Sequence, residues 1–183
     1  MRFTETKLKG SYIIEPDLFS DDRGWFTRTY CKREFEKIGH SKEWVQINHS
    51  FSQKKGTIRG MHFQYPPYSE IKMVRCIAGS VFDVIIDIRK ESRTFLQWIG
   101  EELSAVNKKM LYIPEGFAHG FQTLSDDAEL IYNHSSFYIP GHEGGIRYDD
   151  KSIGIIWKIP LTAISERDNQ HSYINETFTG IKL

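Results

Sequence analysis

Cysteine is scarce in this chain: Cys31 and Cys76 are the only two in 183 residues, far apart and outside any Cys-x-x-Cys spacing. That speaks against a disulfide-stapled scaffold or a zinc–thiolate centre and leaves two free, buried thiols as the expectation. An excess of either charge is also missing. Lys plus Arg and Asp plus Glu both number 24, so no global field draws nucleic acid or an anionic membrane, and selectivity for an anion must come from a local pocket. No apolar run is long enough to span a membrane, and Met1-Arg2-Phe3-Thr4-Glu5-Thr6-Lys7 lacks the apolar centre of a signal peptide, which makes the cytoplasm the expected compartment. Internal repeats, low-complexity runs and linkers rich in Pro, Gly or Ser are absent. One domain over residues 1–183 follows, with N-terminal strands in about 1–50 and a polar tail in about 158–183.

What is present is a succession of short, β-branched and aromatic stretches punctuated by turn residues, the pattern of an all-β sandwich or barrel. Ser11 to Pro16 reads as a first strand, Asp21-Asp22-Arg23-Gly24 as a turn into an aromatic strand from Trp25 to Tyr30, and Lys32 to Ile38 as a short peripheral helix. Trp44 to Ser50 alternates, so Gln46, Asn48 and Ser50 share a face. Phe82, Val84, Ile86 and Ile88 form one apolar face of the next clear strand, with Asp83, Asp87 and Arg89 on the other. Acids among apolar neighbours need partners, and Lys72, Arg75 or His62 are candidates. Ile153 to Trp157 reads as a last strand. The tail after it has too few apolar residues for core and is expected to wrap the surface or the barrel mouth.

Two glycine-bracketed stretches each carry one histidine: Arg59-Gly60-Met61-His62-Phe63-Gln64, and Ile113-Pro114-Glu115-Gly116-Phe117-Ala118-His119-Gly120. The second contains Pro-x-Gly-x-x-His and resembles a signature of the cupin superfamily, whose fold is a jelly-roll barrel. Where metal-binding cupins carry His-x-His and then a glutamate, this chain reads His62-x-Gln64 and then Lys72 before Gly79. An ammonium in place of a carboxylate ligand repels a divalent cation. Proton-transfer chemistry without a metal is the expectation.

The resemblance sharpens over nearly the whole chain. Phe19-x-Asp21-x-Arg23-Gly24, Arg59-Gly60-x-His62-Phe63-Gln64, Lys72-x-Val74-Arg75, Gly79-x-Val81-Phe82-Asp83-Val84, Tyr138-x-Pro140, Glu143-x-Gly145-Ile146-Arg147 and Ser165-x-Arg167-Asp168, in that order, resemble the dTDP-4-dehydrorhamnose 3,5-epimerase family. The resemblance implies an isomerase without metal or organic cofactor, acting on a nucleotide-linked 4-keto-6-deoxyhexose. The C4 carbonyl acidifies C3–H and C5–H, so a base and an acid on opposite faces can invert those centres. It implies His62 as base, Asp168 as the carboxylate orienting it, Lys72 at the developing C4 oxyanion and Tyr132 as acid, with Asp83 as a further interior carboxylate. It implies substrate contacts from Gln46, Asn48, Arg59 and His119 on the sugar and diphosphate, and from Arg23, Phe26, Arg28, Tyr138, Glu143 and Arg167 on the nucleotide side. It also implies a homodimer in which N-terminal strands cross to the partner, and no nucleic-acid or membrane partner.

Departures from the family bear on the substrate. Arg28 stands where the family usually has glutamate, which turns an acceptor into a donor at a position that helps read the nucleotide. Tyr148 stands where tryptophan is usual. A sibling that inverts only C3, or that takes another nucleotide or sugar, is the alternative within the family. A metal-dependent cupin using His62, Gln64 and His119, and a non-catalytic sugar-nucleotide binding barrel, are the alternatives outside it.

Overall fold

Two antiparallel sheets face each other in the computed structural model, which describes residues 1–183. The first runs in the order β1 (Arg2–Glu5), β2 (Tyr12–Glu15), β10 (Met110–Ile113), β7 (Lys72–Ala78), β12 (Ala128–His134) and β5 (Gln46–Ser52). The second runs β13 (Glu143–Gly145), β6 (Thr57–Gln64), β11 (Phe117–Thr123), β8 (Ser80–Asp87) and β9 (Trp98–Ser104), with β14 (Ala163–Ile164) lying parallel against β6. A separate hairpin is made by β3 (Leu18–Asp21) and β4 (Gly24–Thr27). Only two short helices occur, α1 (Lys32–Phe35), continued by a 3-10 turn to Ile38, and α2 (Glu166–Asn169). This is the cupin jelly roll.

Period-two alternation distributes the apolar residues over three layers. Val81 and Ile85 of β8 point between the sheets and meet Val74 and Cys76 of β7, Leu111 and Ile113 of β10, Phe117 and Phe121 of β11, and Leu130 of β12. Phe82, Val84 and Ile86 point outward, yet they are also buried, together with Ile88, Met61, Phe63 and Ala118. The cover on that face is Ile146, Ile153, Ile155, Trp157, Ile174, Phe178 and Ile181. Each Val, Ile or Phe so buried is worth roughly 1.5–3 kcal/mol relative to exposure, so β8 is anchored from both sides. On the other flank, Phe35 of α1 with Tyr30, Ile38 and Trp44 covers the outward side chains Ile14, Met73, Met110 and Tyr112.

Several expectations change. The strand at Tyr12–Glu15 is the second, because Arg2–Glu5 pairs with it at the sheet edge. The aromatic strand stops at Thr27. Ile153 and Gly154 close a turn and Ile155 to Trp157 run on as irregular chain rather than a strand, laying apolar side chains on the outer face of the second sheet. The tail is likewise partly core, since its few apolar residues are spaced to reach that face. Asp87 is satisfied by the Arg89 guanidinium at 2.7 Å and by Ser92 and Thr94 at 2.6 Å each, and Asp83 by His119, not by Lys72, Arg75 or His62. Cys76 is buried, with its thiol pushed up to about 11 by desolvation, whereas Cys31 is only half-buried.

Candidate active site

Strict alternation would put Arg59 and His62, three residues apart, on opposite faces of β6. They share a face because the strand bulges. Arg59 pairs with Phe121 and His62 with His119, so two residues on β6, Gly60 and Met61, stand against the single Gly120 on β11. Glycine is required on both sides of this crossing. A Cβ on Gly60, whose φ is +133°, would lie 2.5 Å from the Gly120 Cα, and one on Gly120 would lie 2.6 Å from the Met61 sulfur. The Gly60 N–H displaced from the ladder donates at 2.9 Å to Oδ2 of Asp168.

Asp168 arrives from the tail. Ser165 caps α2 by accepting the Asp168 N–H at 3.0 Å, and the turn points the carboxylate at β6. Its Oδ1 is 2.9 Å from His62 Nε2. The Asp168 side chain is 6% exposed and that of His62 is 38% exposed, so the acid is buried behind a ring that opens onto a cavity. Desolvation pushes the Asp168 carboxyl up, but the His62 hydrogen bond and charge, with the Gly60 and Ser165 contacts, outweigh it and hold the group at about 2. An ionised acceptor at Nε2 fixes the tautomer: Nε2 carries the proton and Nδ1 keeps the free lone pair.

The opposite wall comes from the first sheet. Lys72 of β7, His134 of β12 and Gln46 of β5 lie in one cross-strand row, and Val74, Tyr132 and Asn48 in the next but one. Glu70, which belongs to none of the sequence motifs, bridges two of these groups. One oxygen is 3.0 Å from Lys72 Nζ and the other 2.7 Å from His134 Nδ1. Burial would raise the Glu70 carboxyl, but Lys72 and His134 outweigh it and lower it. Tyr132 is hydrogen-bonded to the Ser50 hydroxyl at 2.8 Å, and burial pushes its phenol up, so it stays protonated. On β11 the His119 Nε2 lies 3.0 and 3.1 Å from the two oxygens of Asp83.

These side chains enclose a cavity of about 570 Å³ lined by Asn48, Ser50, Arg59, His62, Lys72, His119, Phe121, Tyr132 and His134, among others. A second cavity of about 280 Å³ continues from it past Gln46, Tyr138, Glu143 and Arg167. Asn48, His62, Lys72 and His134 line both, so the two form one elongated cleft. In the second part the Tyr138 hydroxyl donates to Glu143 at 2.8 Å, and Arg167 reaches the same carboxylate at 3.2 Å. Arg59 is aimed by bonds to Ser52 Oγ and the Phe51 carbonyl and has no acidic partner.

Three expected residues lie elsewhere in the chain. Arg23, Phe26 and Arg28 are on or beside the β3–β4 hairpin, exposed, with Arg23 paired to Asp21 and Arg28 to Glu34. None of them lines the cleft. The cupin metal frame is occupied by other bonding: Gln64 donates to two backbone carbonyls and accepts the Ile139 N–H, Lys72 is held by Glu70, and His119 by Asp83. Glu70, His134 and Phe121 are cleft residues that pattern did not reveal, whereas Ser50 falls on the face it shares with Gln46 and Asn48. His134 lies on the same inward alternation as Tyr132, the one signal that could have found it. His171 is a further neighbour, its Nε2 3.8 Å from Asp168 Oδ1.

Comparison with known proteins agrees with this architecture. A family model described as dTDP-4-dehydrorhamnose 3,5-epimerase matches residues 5–176. A Shigella flexneri protein of that description is 47% identical over 169 residues, 92% of this chain and 93% of the relative. An Escherichia coli K12 protein of the same description is 46% identical across all of this chain and 99% of its own. The solved structure of a dTDP-6-deoxy-D-glucose-3,5-epimerase from Legionella pneumophila Philadelphia 1, in complex with dTDP-4-keto-L-rhamnose, superposes with a TM-score of 0.92 at 36% identity, covering 100% of this chain and 98% of that one.

Proposed function

Because the chain belongs to the dTDP-4-dehydrorhamnose 3,5-epimerase family, we propose the following division of labour among its residues in turning dTDP-4-dehydro-6-deoxy-D-glucose into dTDP-4-dehydro-L-rhamnose. His62 is the base. With Nε2–H donated to Asp168, its Nδ1 lone pair takes a proton from carbon next to the C4 carbonyl, and the ionised Asp168 stabilises the imidazolium that forms. The electron pair moves into the C3–C4 or C4–C5 bond and the charge onto the C4 oxygen. Lys72 stabilises that oxyanion, held in place by Glu70.

Tyr132 returns a proton from the other side. It stands on the sheet opposite His62, and because burial keeps its phenol protonated it remains a donor at neutral pH. His119, its ring held by the Nε2 hydrogen bond to Asp83, positions the sugar. Arg59 offers a planar fork with no competing carboxylate, which suits the diphosphate. The cleft continues towards Gln46, Tyr138, Glu143 and Arg167, where a ring to stack on and a mixed donor and acceptor set fit the nucleoside. The observation that carries this reading is the pairing of a carboxylate-bound imidazole on one wall with a half-buried phenol and an ammonium on the other.

The partner of the exposed hairpin is a second copy of the chain. Phe19 and Phe26 are 64% and 68% exposed, and Trp25 beside them 53%. A homodimer would cover these aromatics and carry Arg23, Phe26 and Arg28 to the open nucleotide end of the partner's cleft.

The test is turnover of the dTDP-linked 4-keto-6-deoxyglucose in deuterium oxide. Label at both C3 and C5 is expected. Label at C3 alone would assign the chain to the C3-only siblings, and no label at either carbon would end the epimerase reading.

A further inference from the structure

Behind the His62–Asp168 pair lies an imidazole to which the reaction gives no task. His171 follows α2, and its Nε2 is buried without a hydrogen-bond partner. It stands 3.8 Å from Asp168 Oδ1, the oxygen that His62 Nε2 approaches at 2.9 Å. The two histidine rings meet edge to face with centroids 5.5 Å apart. Room for the second ring is made by Gly145, where a Cβ would come within 2.2 Å of it. The donor atoms of His62, Asp168 and His171 consequently lie within 4.8 Å of one another.

We infer that His62 Nε2, Asp168 Oδ1 and His171 Nε2 form a capture site for a zinc-class divalent cation, and that the captured cation inhibits the enzyme. Two imidazoles and a carboxylate suit zinc and its borderline-soft neighbours rather than magnesium or calcium, which prefer all-oxygen sets. In a tetrahedral set with bond lengths of about 2.0–2.2 Å, ligand atoms stand about 3.3–3.6 Å apart, so the His171–Asp168 separation of 3.8 Å has to tighten by a few tenths of an ångström and the widest separation in the cluster, within 4.8 Å, by about an ångström. Three protein ligands leave the fourth tetrahedral position for water. Cations near the site already have counter-charges: Lys72 has Glu70 at 3.0 Å, Arg167 has Glu143 at 3.2 Å and Arg147 has Asp149 at 3.0 Å.

Inhibition follows from the tautomer, and only this consequence rests on His62 being the base. The cation takes the Nε2 lone pair, and the proton formerly there moves to Nδ1. The ring stays neutral with no net proton gained or lost. Nδ1 is then protonated and has no lone pair for the sugar C–H, while Asp168 has exchanged its imidazole hydrogen bond for the metal. The donor set differs from the cupin metal frame, since only His62 is common to both and the other two ligands come from the tail.

The experiment is a titration of chelator-treated full-length protein with zinc chloride in competition with a chromophoric zinc chelator, repeated with cobalt chloride followed by visible absorption. Turnover is measured in parallel. The wild type is expected to bind one zinc per chain, to show the intense visible bands of four-coordinate cobalt, and to lose turnover in step with occupancy, with recovery on adding EDTA. His171→Asn, checked for an unchanged thermal midpoint, is expected to bind zinc about tenfold more weakly or worse and to require correspondingly more zinc for inhibition. Asp168→Asn should weaken binding in the same way, which keeps the test open if His171→Asn does not fold. Equal zinc affinity in wild type and both variants, or no stoichiometric binding by the wild type, overturns the site. Stoichiometric zinc that depends on His171, in a protein that exchanges no substrate proton at all, would uphold the site while rejecting the proposed function.

Discussion

His62 and His119 are direct cross-strand partners on β6 and β11, yet each gives its Nε2 to a different carboxylate, Asp168 for one and Asp83 for the other. The difference lies in where the acids come from. Asp83 sits on the neighbouring strand β8, buried within the barrel and paired opposite Phe121. Asp168 is brought in by the tail, and its histidine opens on the cleft. One imidazole is thereby walled in and suited to holding substrate, and the other is exposed on its Nδ1 side and suited to moving a proton.

Replacing Tyr132 by Phe keeps the ring and removes the acid. Net epimerisation is expected to fall by about 10²-fold or more, the usual contribution of a positioned proton donor. Proton removal by His62 should persist, so in deuterium oxide recovered substrate acquires label without inversion. Mass spectrometry and proton NMR of the recovered sugar nucleotide check this. Loss of label and inversion together would remove Tyr132 from the role of acid.

The Asp168 carboxyl lies at about 2 in the folded protein against an ordinary value of 3.8. A depressed folded value contributes stability that is fully present above pH about 4 and is lost as pH falls towards 2. The contribution is about 2 kcal/mol at neutral pH, because each tenfold weakening of proton binding on folding corresponds to about 1.4 kcal/mol. Urea unfolding of wild type and Asp168→Asn across that range should show the gap between them closing on acidification. A gap that is constant from pH 6 to pH 3 contradicts the prediction.

Gly60→Ala places a Cβ against the Gly120 backbone, with no flexible side chain there to yield, at a backbone angle that L residues rarely adopt. A loss of stability of roughly 2–4 kcal/mol is expected, seen as a lower denaturation midpoint. In the surviving folded fraction, KM and kcat should both worsen, because the bulge sets Arg59 and His62 on one face. Retained activity at wild-type stability would mean that the bulge can be built without glycine.

Mixing tests whether the hairpin acts on the partner's cleft. Arg23→Ala and His62→Asn should each be nearly inactive alone. Co-refolded, they form mixed dimers in which one cleft has both an intact His62 and the other chain's intact Arg23, and turnover returns. If the mixture stays as inactive as its components, the hairpin serves its own chain or none.

Much of the cleft was legible because strands obey a period of two. Gln46, Asn48 and Ser50 fall on one face by count alone, and so do Lys72, Val74 and Cys76. Asp83 was readable as interior but not its partner, since the choice of His119 depends on which strand lies beside β8. Arg59 with His62 was misleading to any count by twos, because the extra residue of a bulge shows in sequence only as glycines at 60 and 120. Glu70 sits in the connection ahead of β7, where no periodicity operates, so its bonds to Lys72 and His134 were invisible. Asp168 looked like a solvated acid in a polar tail and was placed at the site only through family resemblance. The tail itself misled by composition: a handful of apolar residues is enough to cover a sheet face when they are spaced to land on it.

Docking of the tail ties turnover to a local equilibrium. Asp168 sits on the same C-terminal segment that lays Ile174, Phe178 and Ile181 over the second sheet. Detachment of this segment exposes few of the interior contacts between the sheets, so it can open more cheaply than the barrel unfolds. Each opening takes the carboxylate away from His62 while leaving Lys72, Tyr132 and Arg59 in place. The fraction of molecules able to turn over at any instant is then the fraction with the segment docked, and warming or mild denaturant should silence the enzyme before the sheets melt.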